Sequence, residues 1–254
     1  MATDSKYYAV GQGKVYIAAR DTTTGQTDGF VWIGDCDGLT INAAEEKVQF
    51  QESYSGNRVT AVDVTTSTDV TFSVAIRNID GDNLAKAYYG ETGAVAGATV
   101  AAEAITAYNG KMTALKYPGV SAVTVTKTAG SVPLVLNTDY TLDAVNGTIT
   151  ILAGSTVVPA GAGVPCTVAY THAGVASRTK FLTSTAKEYV LRFEGKSQFD
   201  NKAQIATLHR AKPGLAAALE LIGTDVAVLT LEGAVLPDAA QAAGESKYIT
   251  YVQV

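Results

Sequence analysis

The sequence predicts a mainly β protein, and two observations carry this prediction. Apolar and polar or small residues alternate over long stretches, most cleanly around Val70, Phe72, Val74 and Ile76, which is the period of a half-buried strand. Hydrophobic residues make up 47% of the chain and charged residues only 17%, a balance that suits strands and subunit contacts. We therefore expect an antiparallel β-sandwich or barrel with one short flanking helix.

A long hairpin is expected in the first third of the chain. Residues 47–54 alternate like the strand that contains Val70, so these two segments are predicted to pair. The apolar parity is odd at Leu39 and Ile41 but even from Val48 onward, and we therefore predict a bulge or bend within 44–47. The intervening residues 55–66 are longer than a tight turn requires. They form either an interaction loop or an ordinary mobile connection.

The period changes to that of a helix after Ile79. Asp80 can cap this helix, Leu84 and Ala87 share a face, and Gly90 is predicted to end it. The next residues, 91–110, are rich in Ala, Gly and Thr and are predicted to be a long loop or a weak strand over 100–108.

Further strands divide the rest of the chain. They are predicted around 123–126, 140–151 and 164–170, and again over 189–194, 205–210, 226–235 and 249–254. Asn146-Gly147 predicts a type I′ turn. The resulting expectation is a core built from 1–90 and 185–254, with 91–184 as a long loop plus a β-rich inserted module.

The sequence offers little for catalysis or cofactor binding. His172 and His209 lie in no nucleophile elbow and are expected to be surface or strand residues. The run Asp80-Gly81-Asp82-Asn83 resembles a calcium loop, but the glutamate that an EF-hand needs six residues after its glycine is replaced by Ala87. A turn or cap role is predicted instead. We expect no enzyme, no cofactor and no metal.

Charge and cysteine usage narrow the partners and the compartment. The formal net charge of −5, without a cluster of Lys and Arg, argues against a protein that grips nucleic acid. The short basic group at 209–212 is interpreted as a solvated strand end. Cys36 and Cys166 are predicted to be buried, reduced thiols. Neither a signal peptide nor a transmembrane run is evident, so we expect folding in a cytoplasm.

The order of these features has a counterpart in a known family. The features are Phe30-Val31-Trp32-Ile33-Gly34, a glutamate-containing strand at 45–54, the loop Gly56-Asn57-Arg58, a Thr-rich strand at 68–79 and the helix at 80–90. The C-terminal part also has features in the order of the family's closing strands. They are Tyr189, Gly195, Asn201, the strand ending at Arg210, the leucine-rich segment 215–222 and the strand 229–238. Over 13–90 and 187–238 the chain resembles the tail tube proteins of long-tailed bacteriophages.

This resemblance implies a structural role in the virion tail. Six copies would close into a ring around an inter-subunit β-barrel, and stacked rings would form a channel for the genome. The implied partners are further copies of the chain, the tape measure and terminator proteins, and DNA in transient, non-specific passage; the assembled tail involves no membrane. Six copies at −5 would carry a formal charge of about −30 per ring.

Two sets of candidate residues follow. We expect the channel to be lined by acidic residues of the strands, namely Glu45, Glu46, Glu52, Asp69, Glu188 and Glu194. We expect the neighbouring ring to be contacted by a loop containing Ser55, Gly56, Asn57, Arg58, Val59, Thr60 and Asp63. The alternative is another β-rich assembly protein, such as a capsid decoration protein or a surface-layer or adhesin domain, and the middle module keeps this alternative open.

Overall fold

The computed structural model describes residues 11–198 and 201–254, which form β-strands and one α-helix, α1 (Gly81–Ala87). The strands are β1 (Gly11–Ala19), β2 (Val31–Trp32), β3 (Cys36–Gln51), β4 (Thr60–Ile76), β5 (Glu91–Val95), β6 (Ala98–Ala107), β7 (Met112–Ala114), β8 (Val120–Lys127), β9 (Val132–Pro133), β10 (Tyr140–Asp143), β11 (Thr148–Ile151), β12 (Val164–His172), β13 (Val175–Lys180), β14 (Tyr189–Ser197), β15 (Ala203–Pro213), β16 (Leu229–Val235) and β17 (Ile249–Gln253). The predicted mainly β, antiparallel fold with one short helix is confirmed.

The chain divides into two compact units. Unit 1 comprises Met1–Thr92 and Thr179–Val254, and unit 2 comprises Gly93–Arg178. Strands β5 and β13 pair with each other and contain the two boundaries. The middle module was predicted at 91–184, and unit 2 lies within these bounds.

Unit 1 is built on one antiparallel sheet with the order β2-β1-β14-β15-β16-β4-β3. The long strand β15 pairs with β14 along one edge, while β17 and β16 share its other edge at Gln204–Leu208 and Ala211–Pro213 respectively. The strands on the two sides of this division form two layers. Their inward residues, among them Ile17, Leu191, Phe72 and Leu231, are 0–2% exposed and make one core. The sheet does not close on itself in the described chain.

Helix α1 begins as predicted but ends differently. The Asp80 carboxylate accepts a hydrogen bond from the backbone N–H of Asn83 at 2.8 Å, which caps the helix. At the other end, Tyr89 takes the left-handed backbone conformation with φ 48°, the position that Gly90 was predicted to fill. Gly90 is needed for a different reason, because a Cβ there would press on the carbonyl oxygen of Lys180.

Unit 2 is a smaller β structure with its own core. It contains a three-stranded sheet, β10-β11-β7, and a four-stranded sheet, β6-β12-β8-β9. Ile149, Val125, Val168 and Tyr170 are 0–2% exposed within one cluster. Residues 91–95 and 98–107 form β5 and β6, whereas the sequence predicted that 91–110 is a long loop or contains a weak strand over 100–108. Because β6 pairs with β12 along most of its length, tertiary pairing overrides the poor strand propensity of its alanines.

The turn at Asn146 also departs from its prediction. Asp143 lies opposite Thr148, so four residues rather than two connect β10 and β11. Only Gly147 in this loop has a positive φ, of 65°, and the type I′ prediction is therefore wrong. The Asp143 carboxylate accepts hydrogen bonds from the backbone N–H groups of Val145 and Asn146, both at 3.1 Å, which makes this an Asx-type turn.

Candidate assembly surface

The hairpin of β3 and β4 extends well beyond the rest of its sheet. The two strands pair from Cys36 and Ile76 to Gln51 and Thr60, but β16 accompanies β4 only as far as Thr71. We call residues 43–70 the arm, which reaches about 30 Å at 3.3 Å per residue. All its residues are exposed except Glu52, Ser67 and Val70. A two-stranded hairpin with both faces in water is only marginally stable alone.

A bulge in the arm decides which side chains share a face. Glu46 lies opposite Ser67 and Lys47 opposite Thr65, which leaves Thr66 as an extra residue. The bulge predicted within 44–47 is confirmed in position, but its inserted residue belongs to β4 rather than β3. Because residues directly opposite each other share a face, the pairing can be followed along both strands.

The two faces of the hairpin differ on either side of this bulge. The core face carries Leu39 opposite Val74 and continues as Glu45 opposite Thr68 and Gln49 opposite Asp63. The outer face carries the residues that alternate with these along each strand, such as Glu46 opposite Ser67. Hydrogen bonds agree with this assignment: Gln49 donates to Asp63 at 3.4 Å on the core face, and Ser67 donates to Glu46 at 3.2 Å on the outer face.

An apolar stripe covers the outer face of the arm beyond the bulge. Val48 lies opposite Val64, and Phe50 opposite Val62. Their exposed fractions are 59%, 52%, 62% and 47%, which amounts to apolar area on the order of 350 Å², within the range of functional patches. The parity change in β3 therefore moves the apolar residues to the opposite side of the hairpin from the core.

Between the bulge and the core of unit 1, the outer face of the hairpin is polar and acidic. Asp69 lies opposite Ala44, two positions from Glu46 along the ladder, and Glu232 of β16 lies opposite Ser73, whose hydroxyl donates to it at 3.2 Å. Lys212, opposite Ala234, lies on the same face. Of the six predicted lining residues, Glu46 and Asp69 are the two that this surface brings together.

Two other lining candidates lie on different surfaces. Glu45 is on the core face, where it pairs with Lys47 at 3.3 Å, and both side chains are about half exposed. Glu194 belongs to β14, in the other layer, and accepts a hydrogen bond from Arg192 at 2.6 Å. In the single chain, Glu45 and Glu194 therefore lie apart from the surface that carries Glu46 and Asp69.

Glu188 is a buried structural residue, which corrects its assignment to the channel. Arg210 donates two hydrogen bonds to it, at 2.8 and 2.7 Å, and Arg20 a third at 3.3 Å; Arg20 also donates to Asp238 at 2.6 Å. The hydrogen bonds from Arg210 lower the pKa of Glu188 despite its burial. The basic group at 209–212, expected to be a solvated strand end, thus supplies a partner to this network.

Glu52 organises the tip of the hairpin and is also little exposed, at 7%. It accepts hydrogen bonds from the Ser55 hydroxyl and from the backbone N–H groups of Ser55 and Tyr54. The Ser55 hydroxyl contributes most to lowering the pKa of the Glu52 carboxyl. Its place in the predicted channel lining is therefore wrong, because its oxygens are committed to the turn.

The predicted contact loop is partly strand. Ser55, Gly56, Asn57, Arg58 and Val59 form the connection at the tip, where Gly56 and Arg58 have φ of 81° and 44°. Thr60 and Asp63 lie in β4. The true connection is thus 52–59, shorter than the predicted 55–66, and Tyr54 at 90% exposed and Val59 at 58% make it partly apolar.

A second apolar surface was not identified from the sequence. Residues 214–228 join β15 to β16 without regular structure. In this segment Leu221 and Ile222 are 84% and 94% exposed, and Val226 is 68% exposed. The signal was present in the sequence as a leucine-rich run followed by Gly223, which is typical of a helix with its stop.

The histidines and cysteines considered for catalysis or metal binding make ordinary contacts within the fold. In the described chain, no three His, Cys, Asp or Glu residues are grouped as metal ligands. His172 is buried and stacks on Tyr117 with ring centroids 4.0 Å apart, and His209 bonds Thr250 at 2.8 Å. Cys36 and Cys166 are free thiols, and Cys36 is only half-buried rather than buried as predicted. No helix among the described residues has the length and apolar character needed to cross a bilayer.

Comparison with known proteins identifies the family of the chain. No curated protein matches the chain. One family model matches residues 8–252, which include nearly all of both units. The chain therefore belongs to the family described as protein of unknown function UCP028589.

Proposed function

We propose that this protein is a structural subunit that assembles with copies of itself into rings, and that the rings stack into a tube of the kind found in long-tailed bacteriophages. The observation that carries the proposal is the arm. It projects two strands, exposes both faces and bears an uncharged apolar stripe, and the outer edge of β3 is free of any other strand among residues 11–198 and 201–254. Such a surface in a monomer is an aggregation hazard unless a partner covers it.

Self-association in a ring uses these features together. The free edge of β3 is 16 residues long, and at the opposite end of the sheet order β2 covers only two residues of β1. Pairing one end of the sheet with the other end in the next copy is a heterologous contact, which repeats until the rotation closes. Closure would give an inter-subunit β-barrel without free edges, as the resemblance implies.

The outer face supports a channel for DNA. Glu46, Asp69 and Glu232 share one surface of the β3, β4 and β16 strands, with Lys212 as a neighbouring cation. A lining with few cations makes few phosphate contacts, and each such contact would retard a moving duplex. The proposal assigns no catalysis, places the protein in the virion tail, and implies tape measure and terminator proteins as further partners.

Electron microscopy and sedimentation of the purified full chain test this proposal. We expect hollow rings or tubes with a central channel, in equilibrium with a slower-sedimenting species. A single sedimenting species at the mass of one chain, 26.3 kDa, at every concentration would contradict the proposal. Flat arrays or isolated particles bound to a capsid or cell surface would favour a decoration or surface-layer protein instead.

A further inference from the structure

The dipeptide Asn-Gly occurs twice in unit 2, and its two copies have different surroundings. Asn109-Gly110 lies between β6 and β7, and Asn146-Gly147 lies between β10 and β11. Asparagine is a thermolabile residue, because its side-chain amide is lost when the backbone nitrogen of the next residue attacks it. Glycine in that next position has no side chain to hinder the attack. The sequence therefore predicts two labile positions, and the structure distinguishes them.

The side chain of Asn109 is held by a distant part of the chain. Its Nδ2 donates to the backbone carbonyl of Val158 at 2.6 Å and to that of Leu152 at 3.4 Å, and both hydrogen bonds are partly buried. Rotation of this carboxamide towards Gly110 would break both hydrogen bonds and remove the donor from two carbonyl groups. Asn109 is therefore protected from attack.

The side chain of Asn146 is exposed and bonds within its own turn. Its Nδ2 donates to Asp143 Oδ2 at 2.7 Å, and its backbone N–H donates to Asp143 Oδ1 at 3.1 Å. Because both hydrogen bonds are exposed, water replaces them at little net cost. The N–H of Gly147, the attacking group, donates no backbone hydrogen bond among residues 11–198 and 201–254. The carboxamide of Asn146 is thus free to turn towards this nitrogen.

We infer that Asn146 is a site of spontaneous deamidation in the folded protein. The deprotonated backbone nitrogen of Gly147 attacks the side-chain carbonyl carbon of Asn146 and forms a C–N bond. The bond from that carbon to Nδ2 breaks, and Nδ2 leaves as ammonia. Water then opens the cyclic imide at either of its carbonyl groups, which gives aspartate or isoaspartate. Water is the only co-reactant, and the reaction does not depend on assembly.

The product alters the turn in which it forms. A carboxylate at position 146 adds one negative charge to a chain whose formal net charge is −5. Hydrogen bonds from the backbone and side chain of Asn146 lower the pKa of Asp143, so Asp143 is ionised and repels the new carboxylate. Isoaspartate also adds a methylene group to the backbone between β10 and β11. Deamidation should therefore loosen this connection in unit 2.

Peptide mapping by mass spectrometry tests the site in the full chain, with Asn109 as its internal control. In mildly alkaline buffer the folded protein should lose the amide of Asn146 about tenfold faster than that of Asn109, the factor that one net hydrogen bond contributes. In urea that unfolds the chain the two positions should react at similar rates, because the dipeptides are identical. Equal rates at both positions in the folded protein, or an intact amide at Asn146, would overturn the inference.

The products and the effect of pH test the chemical route. Isoaspartate should appear together with aspartate at position 146, since the imide opens on both sides. The rate should rise from mildly acidic to mildly alkaline buffer, because the attacking nitrogen must lose its proton. Aspartate without isoaspartate, or a rate that is the same in both buffers, would show direct hydrolysis of the side chain and overturn the role of Gly147.

Discussion

The charged side chains around Glu188 are almost completely removed from water. Arg20, Glu188 and Asp238 have side-chain exposures of 6%, 9% and 4%, and Arg210 completes the network from β15. Burial acts to raise the pKa of Asp238, but hydrogen bonds from Gln241, Ala240 and Arg20 outweigh it and leave the pKa lowered. Within the described part of the chain the Arg20 Nε has no hydrogen-bond partner, and the Glu188 and Asp238 carboxylates balance the charge of this guanidinium.

Replacing Glu188 with Gln should destabilise unit 1 by about 3 kcal/mol at pH 7, because Arg210 loses its carboxylate partner and the buried Arg20 keeps only Asp238. The folded-state pKa of Glu188 is lowered from its ordinary value of 4.5. Its contribution is therefore complete above pH 4.5 and is lost as the pH falls towards the lowered pKa. The difference between wild type and Glu188→Gln should accordingly be constant above pH 4.5 and shrink as the pH falls below that value.

Urea unfolding followed by the fluorescence of Trp32 measures this difference, because the chain has a single tryptophan and it lies in unit 1. Glu194→Gln is the matched control: its ion pair with Arg192 is exposed and should be worth less than about 1 kcal/mol. Equal effects of the two substitutions at pH 7 would contradict the structural role of Glu188.

The position of Glu188 could not be inferred from its neighbours in the sequence. Glu188 precedes a strand in which apolar and polar residues alternate, and a solvated carboxylate is the prediction for such a position. Its partner Arg20 is 168 residues away, and Arg210 comes from a different strand. By contrast, Asp80 was identified correctly as a cap because its partner, Asn83, lies three residues away. Local hydrogen bonds are visible in a sequence, whereas long-range ion pairs are not.

At the scale of elements, the hairpin was largely predictable and its surroundings were not. The alternation at 70–76 identified β4, and the parity change in β3 led to the right position for the bulge but for the wrong reason, because the extra residue, Thr66, lies in β4 and the apolar residues of β3 change face instead. The pattern could not show that β16 stops pairing at Thr71, and this end of pairing is what exposes the arm. Strand β6 was missed as a regular strand because its Ala and Thr residues carry little signal, and only the pairing with β12 determines its conformation.

The apolar stripe predicts a selective effect on association. Phe50→Ser removes a side chain that is 62% exposed in the single chain, so the free energy of unfolding should change by less than about 0.5 kcal/mol. If the stripe is buried between copies, the loss of about 2 kcal/mol of apolar burial should weaken association roughly 30-fold. Sedimentation velocity over a concentration series measures this shift.

The neighbouring residue provides the control for that experiment. Gln49 is adjacent on the same strand but points to the core face, where it donates to Asp63. Gln49→Ser should therefore leave the association constant within about twofold, since exposed polar substitutions are near neutral. A loss of association in Gln49→Ser as large as that in Phe50→Ser would assign the interface to both faces and refute the role of the stripe.

At the scale of the whole molecule, unit 2 has the properties of an independently folding module. Its core cluster lies within 93–178, and its two ends are held together by the pairing of Ala98 with His172. A domain with its own core and adjacent ends tolerates excision. A fragment spanning 93–178 should unfold cooperatively in heat or urea, as followed by circular dichroism.

The complementary deletion assigns the assembly function to one unit. A chain in which a short Gly-Ser linker replaces 93–178 should retain the cooperative unfolding of unit 1 and should still form rings, because the arm and the segment 214–228 both belong to unit 1. Rings that require unit 2 would show that the interface extends beyond the surfaces described above. Electron microscopy of the deletion variant distinguishes these results.

The acidic outer face leads to a prediction about DNA that depends on the closed tube. Replacing Glu46 and Asp69 with Lys changes the ring by roughly 24 charges, from two substitutions of two charges in six copies, and creates phosphate contacts along the channel. Wild-type tubes should not retain a short linear duplex at physiological salt. Tubes of the double variant should retain it, with an affinity that falls by about 0.9 logarithmic units per phosphate contact for each tenfold increase in salt.

Comparing linear with circular DNA distinguishes binding inside the channel from binding on the outside of the tube. A covalently closed circle has no end to enter a channel, so tubes of Glu46→Lys/Asp69→Lys should bind the linear duplex and not the circle. The control Glu45→Lys/Glu194→Lys carries the same change in charge on the core face and on the other layer, and any binding it shows should include the circle. Filter binding of both DNA forms at several salt concentrations measures the difference. Equal retention of linear and circular DNA by Glu46→Lys/Asp69→Lys tubes would place Glu46 and Asp69 outside the channel.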